Sequence, residues 1–197
     1  MSPRGVAIPD VRDRLFDAAE RVLAGSGPSA LTSRAITTEA GCAKGLLHAH
    51  FSGLDEFIAA LVLDRFARIA RQAGQLPGQA GTATVAENLR KVALALLTSV
   101  NPAVAGLAMT RPTASLAVRQ ELAAGAPGFA AIQDAIAEYL DAERQLGRLA
   151  NDTDSQAVAL AVVGSVHHLL MTGWAGTPDP REQVEGLVAQ LVGGAGS

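Results

Sequence analysis

Four histidines and one cysteine are the imidazole and thiol side chains of this 197-residue chain that could hold a metal. His48 and His50 stand two apart, which on a helix turns them about 200° away from each other, so they do not share an ion. His167 and His168 are adjacent and diverge as well. Cys42 falls in a turn and is expected as a buried thiol, and a single cysteine excludes an intramolecular disulfide. No Ser/His/Asp ordering, glycine-rich phosphate loop or Cys-x-x-Cys is present. The expectation is therefore not an enzyme, with no catalytic residue, no metal and no resident cofactor.

The stretch from Thr32 to Phe57, TSRAITTEAGCAKGLLHAHFSGLDEF, places these histidines on a recognisable element. Thr32 has a hydroxyl suited to cap a helix. Ile36 and Ala40 share one face, and Gly41 supplies the left-handed conformation that ends a helix. Ala43 to His50 is expected as two further turns of helix, with Leu47 and Phe51 turned inward. Ser52 with Asp55 reads as the capping box of the next helix. Two short helices around a turn of about three residues make a helix-turn-helix.

In its detail this stretch resembles the DNA-binding domain of the TetR family of transcriptional repressors. Thr32, Ile36, Ala40, Gly41, Lys44, Gly45, Leu47, His50, Phe51, Asp55, Glu56 and Phe57 carry the resemblance without a gap. It implies an all-α protein: an N-terminal three-helix head, then a larger helical ligand-binding and dimerisation domain. It also implies a double-stranded DNA operator read by the second helix of the motif. Lys44 is then the candidate for direct readout of guanine, and Gly45 leaves the backbone bare for close approach. Thr32, Ser33 and Arg34 are candidates for phosphate, as are His48 and His50. Three departures weaken the pattern, one of them Leu46 in place of what is often a small hydroxyl residue. His48 stands where the family usually has tyrosine, which keeps a ring and a donor but adds pH sensitivity. Leu54 stands where a lysine is usual and removes one phosphate anchor. Each lost anchor lowers the salt slope by about 0.9.

Charge alone does not lead to DNA. The chain carries net −3, and residues 1–54 carry six Arg/Lys against five Asp/Glu, a net +1. Hydrophobic residues make up 49%, which argues against disorder. Residues 1–9 are expected as a flexible tail whose Arg4 could reach a groove. They hold no run apolar enough for a signal peptide. The longest apolar stretch, Ala157 to Val163, is shorter than a membrane span of about 20 residues. A cytoplasmic protein with no membrane partner is expected.

Around the head, the 3.6 period predicts helices throughout. The first covers 10–24, another 53–72, with Arg65, Arg68 and Arg71 on a solvated face. Residues 76–81 read as a linker. Thr84 and Glu87 form a capping box, Asn101-Pro102 and Arg111-Pro112 interrupt, and Pro127 opens a helix that Gly147 closes. Thr153 and Gln156 box the next, and Asp179-Pro180 starts the last. The head is thus 10–54 and the helical domain 55–197.

The resemblance implies a small-molecule effector between the middle helices. Candidate lining residues are Met109, Arg111, Phe129, Gln133, Tyr139, His167, Met171 and Trp174, suited to an apolar ligand. The last two helices carry Ala157, Leu160, Ala161, Gly164 and His168, then Val184, Leu187, Val188 and Leu191. Small side chains permit close helix approach, so these are assigned to a homodimer interface, as the resemblance also implies. The expected function is a ligand-released repressor bound as a dimer to a near-palindromic operator. The alternatives are a helical ligand-binding dimer whose head has lost DNA binding, and a helical-bundle enzyme.

Overall fold

The computed structural model describes residues 11–99, 102–172 and 178–193. Arg4 and Trp174 fall outside these residues, as does the side chain of Met109. Among the described residues the chain is all-helical. The helices are α1 (Val11–Ser26), α2 (Ser33–Glu39), α3 (Leu46–His50), α4 (Leu54–Ala73), α5 (Val85–Ser99), α6 (Pro102–Thr110), α7 (Pro112–Ala123), α8 (Phe129–Gln145), α9 (Ser155–Thr172) and α10 (Pro180–Gly193). The chain forms two compact units. One holds residues up to Val62 together with 101–120, and the other holds 63–100 and 121 onward. So α6 and α7 group with the head, a partition that the expected boundary at residue 54 did not anticipate.

In the first unit, α1 buries Leu15, Phe16, Ala18, Ala19 and Leu23 against the motif. Their 3.6 spacing fixes which face points inward. Phe16, Phe51 and Phe57 meet with ring centroids 5.1 to 6.0 Å apart. Arg12, four residues before Phe16, lies over the Phe51 ring at 5.0 Å. Arg14 donates to the Ala40 carbonyl at 2.9 Å, satisfying the C-terminal end of α2. Arg21 pairs with Glu39 at 2.7 Å. α6 packs on α1, and Val104, Ala108, Ala114 and Val118 are buried.

In the second unit, α5, α8, α9 and α10 surround a core of Leu89, Leu96, Ile132, Ile136, Leu140, Val162 and Val166. Val184 and Val188 belong to this core as well. The residues expected to be a linker are part of it too. Leu76 is buried, and Pro77–Gln79 forms a 3-10 turn. Arg65 is not on a solvated face but buried, its guanidinium 2.8 Å from Asp64. The same carboxylate oxygen accepts from Arg68 at 2.7 Å.

Helix ends follow local chemistry, with some partners reassigned. Thr84 and Glu87 make the full reciprocal box. The backbone and hydroxyl hydrogen bonds from Thr84 lower the Glu87 carboxyl pKa. At α9, Asp154 caps in place of Thr153, accepting from the Ala157 N–H at 3.0 Å. At α8, Gly128 is the cap and Pro127 precedes the helix. Gly147 (φ 70°) ends α8 by returning the Gly147 N–H to Arg144 and the Arg148 N–H to Glu143.

That turn sets up the one buried carboxylate cluster among the described residues. Glu143 is fully buried. It accepts from the Gly81 N–H at 3.2 Å, and Arg148 Nε stands 3.4 Å away. Arg148 also donates to the Ala83 carbonyl. Asn88 donates to the Tyr139 hydroxyl at 3.1 Å and to the Thr82 carbonyl at 3.0 Å. Burial, with Glu143 beside it, raises the Tyr139 phenol above its ordinary range, so it stays protonated. The loop of residues 81–84 is thus fastened to the end of α8. Removing one partner of a buried ion pair leaves the others unsatisfied, so Glu143→Ala is expected to cost about 3 kcal/mol in urea unfolding. A loss below about 1 kcal/mol would show that the cluster is not holding the loop.

Candidate nucleic-acid interface

α2 and α3 are too short to persist alone, since isolated helices below about 12 residues are marginal in water. Their ends are built accordingly. Thr32 caps α2, accepting from the Ala35 N–H at 3.1 Å. Gly41, at φ 62°, closes α2 with the Gly41 N–H on Thr38 and the Cys42 N–H on Thr37. Ile36 and Leu47 are fully buried and lock the two helices to the core. Phe51 ends α3 and enters the aromatic cluster.

The second helix of the motif is shorter than its sequence suggests. It covers five residues, Leu46–His50, with Gly45 at its N-cap. Lys44 therefore sits in the preceding turn, closed by the Leu46 N–H on the Ala43 carbonyl. Lys44, Gly45, His48 and His50 are exposed, as are Thr32 and Arg34, while Ser33 is half-buried. Cys42 is half-buried, not buried. No group of three metal-ligating side chains occurs among the described residues.

Beyond Phe51, Ser52 pairs with Glu56 and not with Asp55. The hydroxyl and backbone N–H of Ser52 hold the Glu56 carboxyl below its usual range. Asp55 is instead engaged by the Arg111 guanidinium, 56 residues along the chain. Arg111 thus groups with the head unit. No local pattern announces that pair. The Arg12 contact did have a signal, because Arg12 and Phe16 are four apart on one helix.

Of the other expected effector residues, Phe129, Gln133, Tyr139, His167 and Met171 lie in the second unit. Phe129 meets Phe66 in a tilted contact at 4.8 Å and His167 edge-on at 5.0 Å. Gln133 and Met171 are half-buried. Tyr139 is not available to a ligand, because it is fully buried and bonded to Asn88.

The expected interface residues divide in two. Ala157, Leu160, Gly164 and His168 form an exposed face of α9, with Ala161 half-buried beside them. Leu160 is 58% exposed. Val184 and Val188 face the chain's own core, as noted, because the inward stripe of α10 uses those positions. Leu187 and Leu191 remain half-buried. A cleft of about 330 Å³ lies between α9 and α10, lined by Gly164, Ser165, His168, Leu169, Gln183 and Leu187. By length and composition alone α9 is apolar enough to cross a membrane, longer than the run 157–163 suggested, yet only 28% of it is buried.

Comparison with known proteins fits this geometry. Residues 15–61 match the family model of bacterial regulatory proteins, tetR family. Curated protein sequences give no match. Solved structures do. A TetR-family transcriptional regulator from Mesorhizobium loti is 14% identical, with a TM-score of 0.68 over 95% of this chain and 97% of that one. FadR from Bacillus subtilis, in complex with stearoyl-CoA, is 16% identical, with a TM-score of 0.63 over 92% and 98%. SmeT, the repressor of the Stenotrophomonas maltophilia multidrug efflux pump SmeDEF, is 18% identical, with a TM-score of 0.61 over 93% and 89%. At these identities the likeness speaks to fold. Residues 15–61 are therefore a helix-turn-helix head that matches the tetR-family model, and the chain shares its fold with these solved structures.

Proposed function

We propose that this protein is a transcriptional regulator that binds a near-palindromic operator as a homodimer and is released by a small-molecule effector. The observation that carries the reading is the set of exposed donors, Thr32, Arg34, Lys44, His48 and His50, on a motif clamped by buried Ile36, Leu47 and Phe51. Lys44, ahead of α3, donates to guanine O6 or N7. Gly45 lets the backbone approach the bases. Thr32, Ser33 and Arg34 hold phosphate on one side, and His48 and His50 on the other.

The dimer rests on α9. A helix this apolar and this exposed needs cover, and Ala157, Leu160, Ala161 and Gly164 permit a close crossing by the same face of a second copy. The effector site rests on Phe66, Phe129 and His167, with Gln133 and Met171 four residues on from Phe129 and His167 along α8 and α9. These residues suit an apolar ligand with one polar end. The net +1 of residues 1–54 favours a second reading, a ligand-binding dimer whose head no longer engages DNA.

Selection from a random duplex library decides between them. Enrichment of a near-palindrome with half-sites about 34 Å apart, or a multiple of that, is expected. Lys44→Ala should relax one position per half-site and cost about 1 to 3 kcal/mol there. No enrichment at low salt favours the second reading. For the interface, Leu160→Arg is expected to convert a dimer to a monomer in sedimentation, because a desolvated unpaired charge is costly. An unchanged dimer would place the interface elsewhere.

A further inference from the structure

The first turn of α4 brings negative charge to the head. Asp55 and Glu56 stand there, and they turn the net charge from +1 over residues 1–54 to −1 over residues 1–56. Leu54 beside them supplies no cation. Phe51, Ser52 and Gly53 alone separate α3 from α4. The step from His50 to Asp55 spans at most about 18 Å even when fully extended. That lies inside the screening length of about 30 Å at 0.01 M salt. A carboxylate at a helix N-terminus also occupies the positive end of the dipole, which otherwise attracts phosphate.

The two carboxylates are handled differently. Glu56 takes its hydrogen bonds from Ser52, with the Arg12 cation a smaller influence. Asp55 is engaged directly by a cation, the Arg111 guanidinium, through Nε. Arg111 comes from residues 101–120, which hold Arg111 and Arg119 and no carboxylate. That segment groups with the head, and its charge returns the unit to net +1. Arg111 is placed firmly without the ion pair, because it is the junction of α6 and α7. Its N–H donates to the Leu107 carbonyl, and its own carbonyl accepts from the Ser115 N–H. Val104, Ala108, Ala114 and Val118 bury the two helices. With its side chains 37% and 32% exposed, the pair adds little to folding. Its consequence is electrostatic.

We infer that Arg111 is a positioning residue for DNA binding, acting through Asp55 to cancel the carboxylate that would otherwise repel phosphate at the entry of α4. This rests on the DNA-binding reading above. The DNA-binding module of this chain is then completed by the α6–α7 junction, 56 residues further along. No covalent step is involved. Because the effect acts over a distance, it fades as salt shortens the screening length.

The test is titration of the selected duplex with the full-length protein, Arg111→Gln, Asp55→Asn and the double variant, at about 0.01 M and about 0.1 M salt. The thermal unfolding midpoint of each is measured alongside. Arg111→Gln is expected to weaken binding about three- to tenfold at the lower salt and about twofold at the higher. Adding Asp55→Asn should restore affinity to within about twofold of wild type, because the charge that Arg111 cancels is then gone. A contact that mattered only for structure would stay broken in the double variant, and its affinity would stay low. Should Arg111→Gln lower the unfolding midpoint, Asp55→Asn alone decides: binding at least as tight as wild type is expected, and weaker binding contradicts the inference. Arg111→Gln that binds like wild type at low salt, or a double variant as weak as Arg111→Gln, overturns this inference alone. Absence of binding by the wild type at both salt concentrations overturns it together with the DNA-binding reading.

Discussion

The contact of Phe16, Phe51 and Phe57 is the interaction on which the head depends. Neither motif helix has the length to hold its own shape, and α3 is a single turn and a half. Its ends are fixed by Leu47 on the inside and by Phe51, which is held between two rings and beneath the Arg12 guanidinium. Such aromatic pairs contribute about 0.5 to 1.5 kcal/mol beyond the area they bury. Everything placed on the outer side of α3 is therefore positioned from within, by residues that never meet a ligand. That division of labour lets the outward residues vary while the frame persists.

Much of this was legible in the sequence because it is local. Thr32, Gly41, Thr84, Glu87 and Gly147 act within four residues of themselves, and their roles follow from backbone geometry. The stripe on α1 reads directly from its spacing. What escaped was decided by distant partners. Asp55 looked like the acid of a capping box, yet Arg111 engages it and Glu56 serves Ser52. Arg65 repeated with Arg68 and Arg71 as though on one wet face, yet it is buried. Val184 and Val188 shared a heptad-like pattern with Leu187, and only the packing of α5 and α9 shows which side of α10 is inward.

The second unit follows the same rule with different chemistry. Its apolar core would tolerate many arrangements of the loop after α4. Glu143 restricts them, because a buried carboxylate must be compensated, and here one oxygen accepts from the Gly81 N–H while the Arg148 guanidinium stands 3.4 Å from the other. The exposed face of α9 works in the opposite sense. It is apolar where water is, and that imbalance is what argues for a partner. The small-residue spacing of Ala157, Leu160, Ala161, Gly164 and His168 marked this face in the sequence, and the chain leaves it exposed apart from the half-buried Ala161.

The most direct measurement is amide hydrogen exchange along the full-length protein, with and without the duplex enriched by selection. Slowed exchange is expected at residues 32–35 and 43–50, which carry the exposed donors, with the frame of α1 little changed. Bound DNA that leaves residues 43–50 exchanging as before would contradict the assignment of the reading surface to α3 and the turn that precedes it.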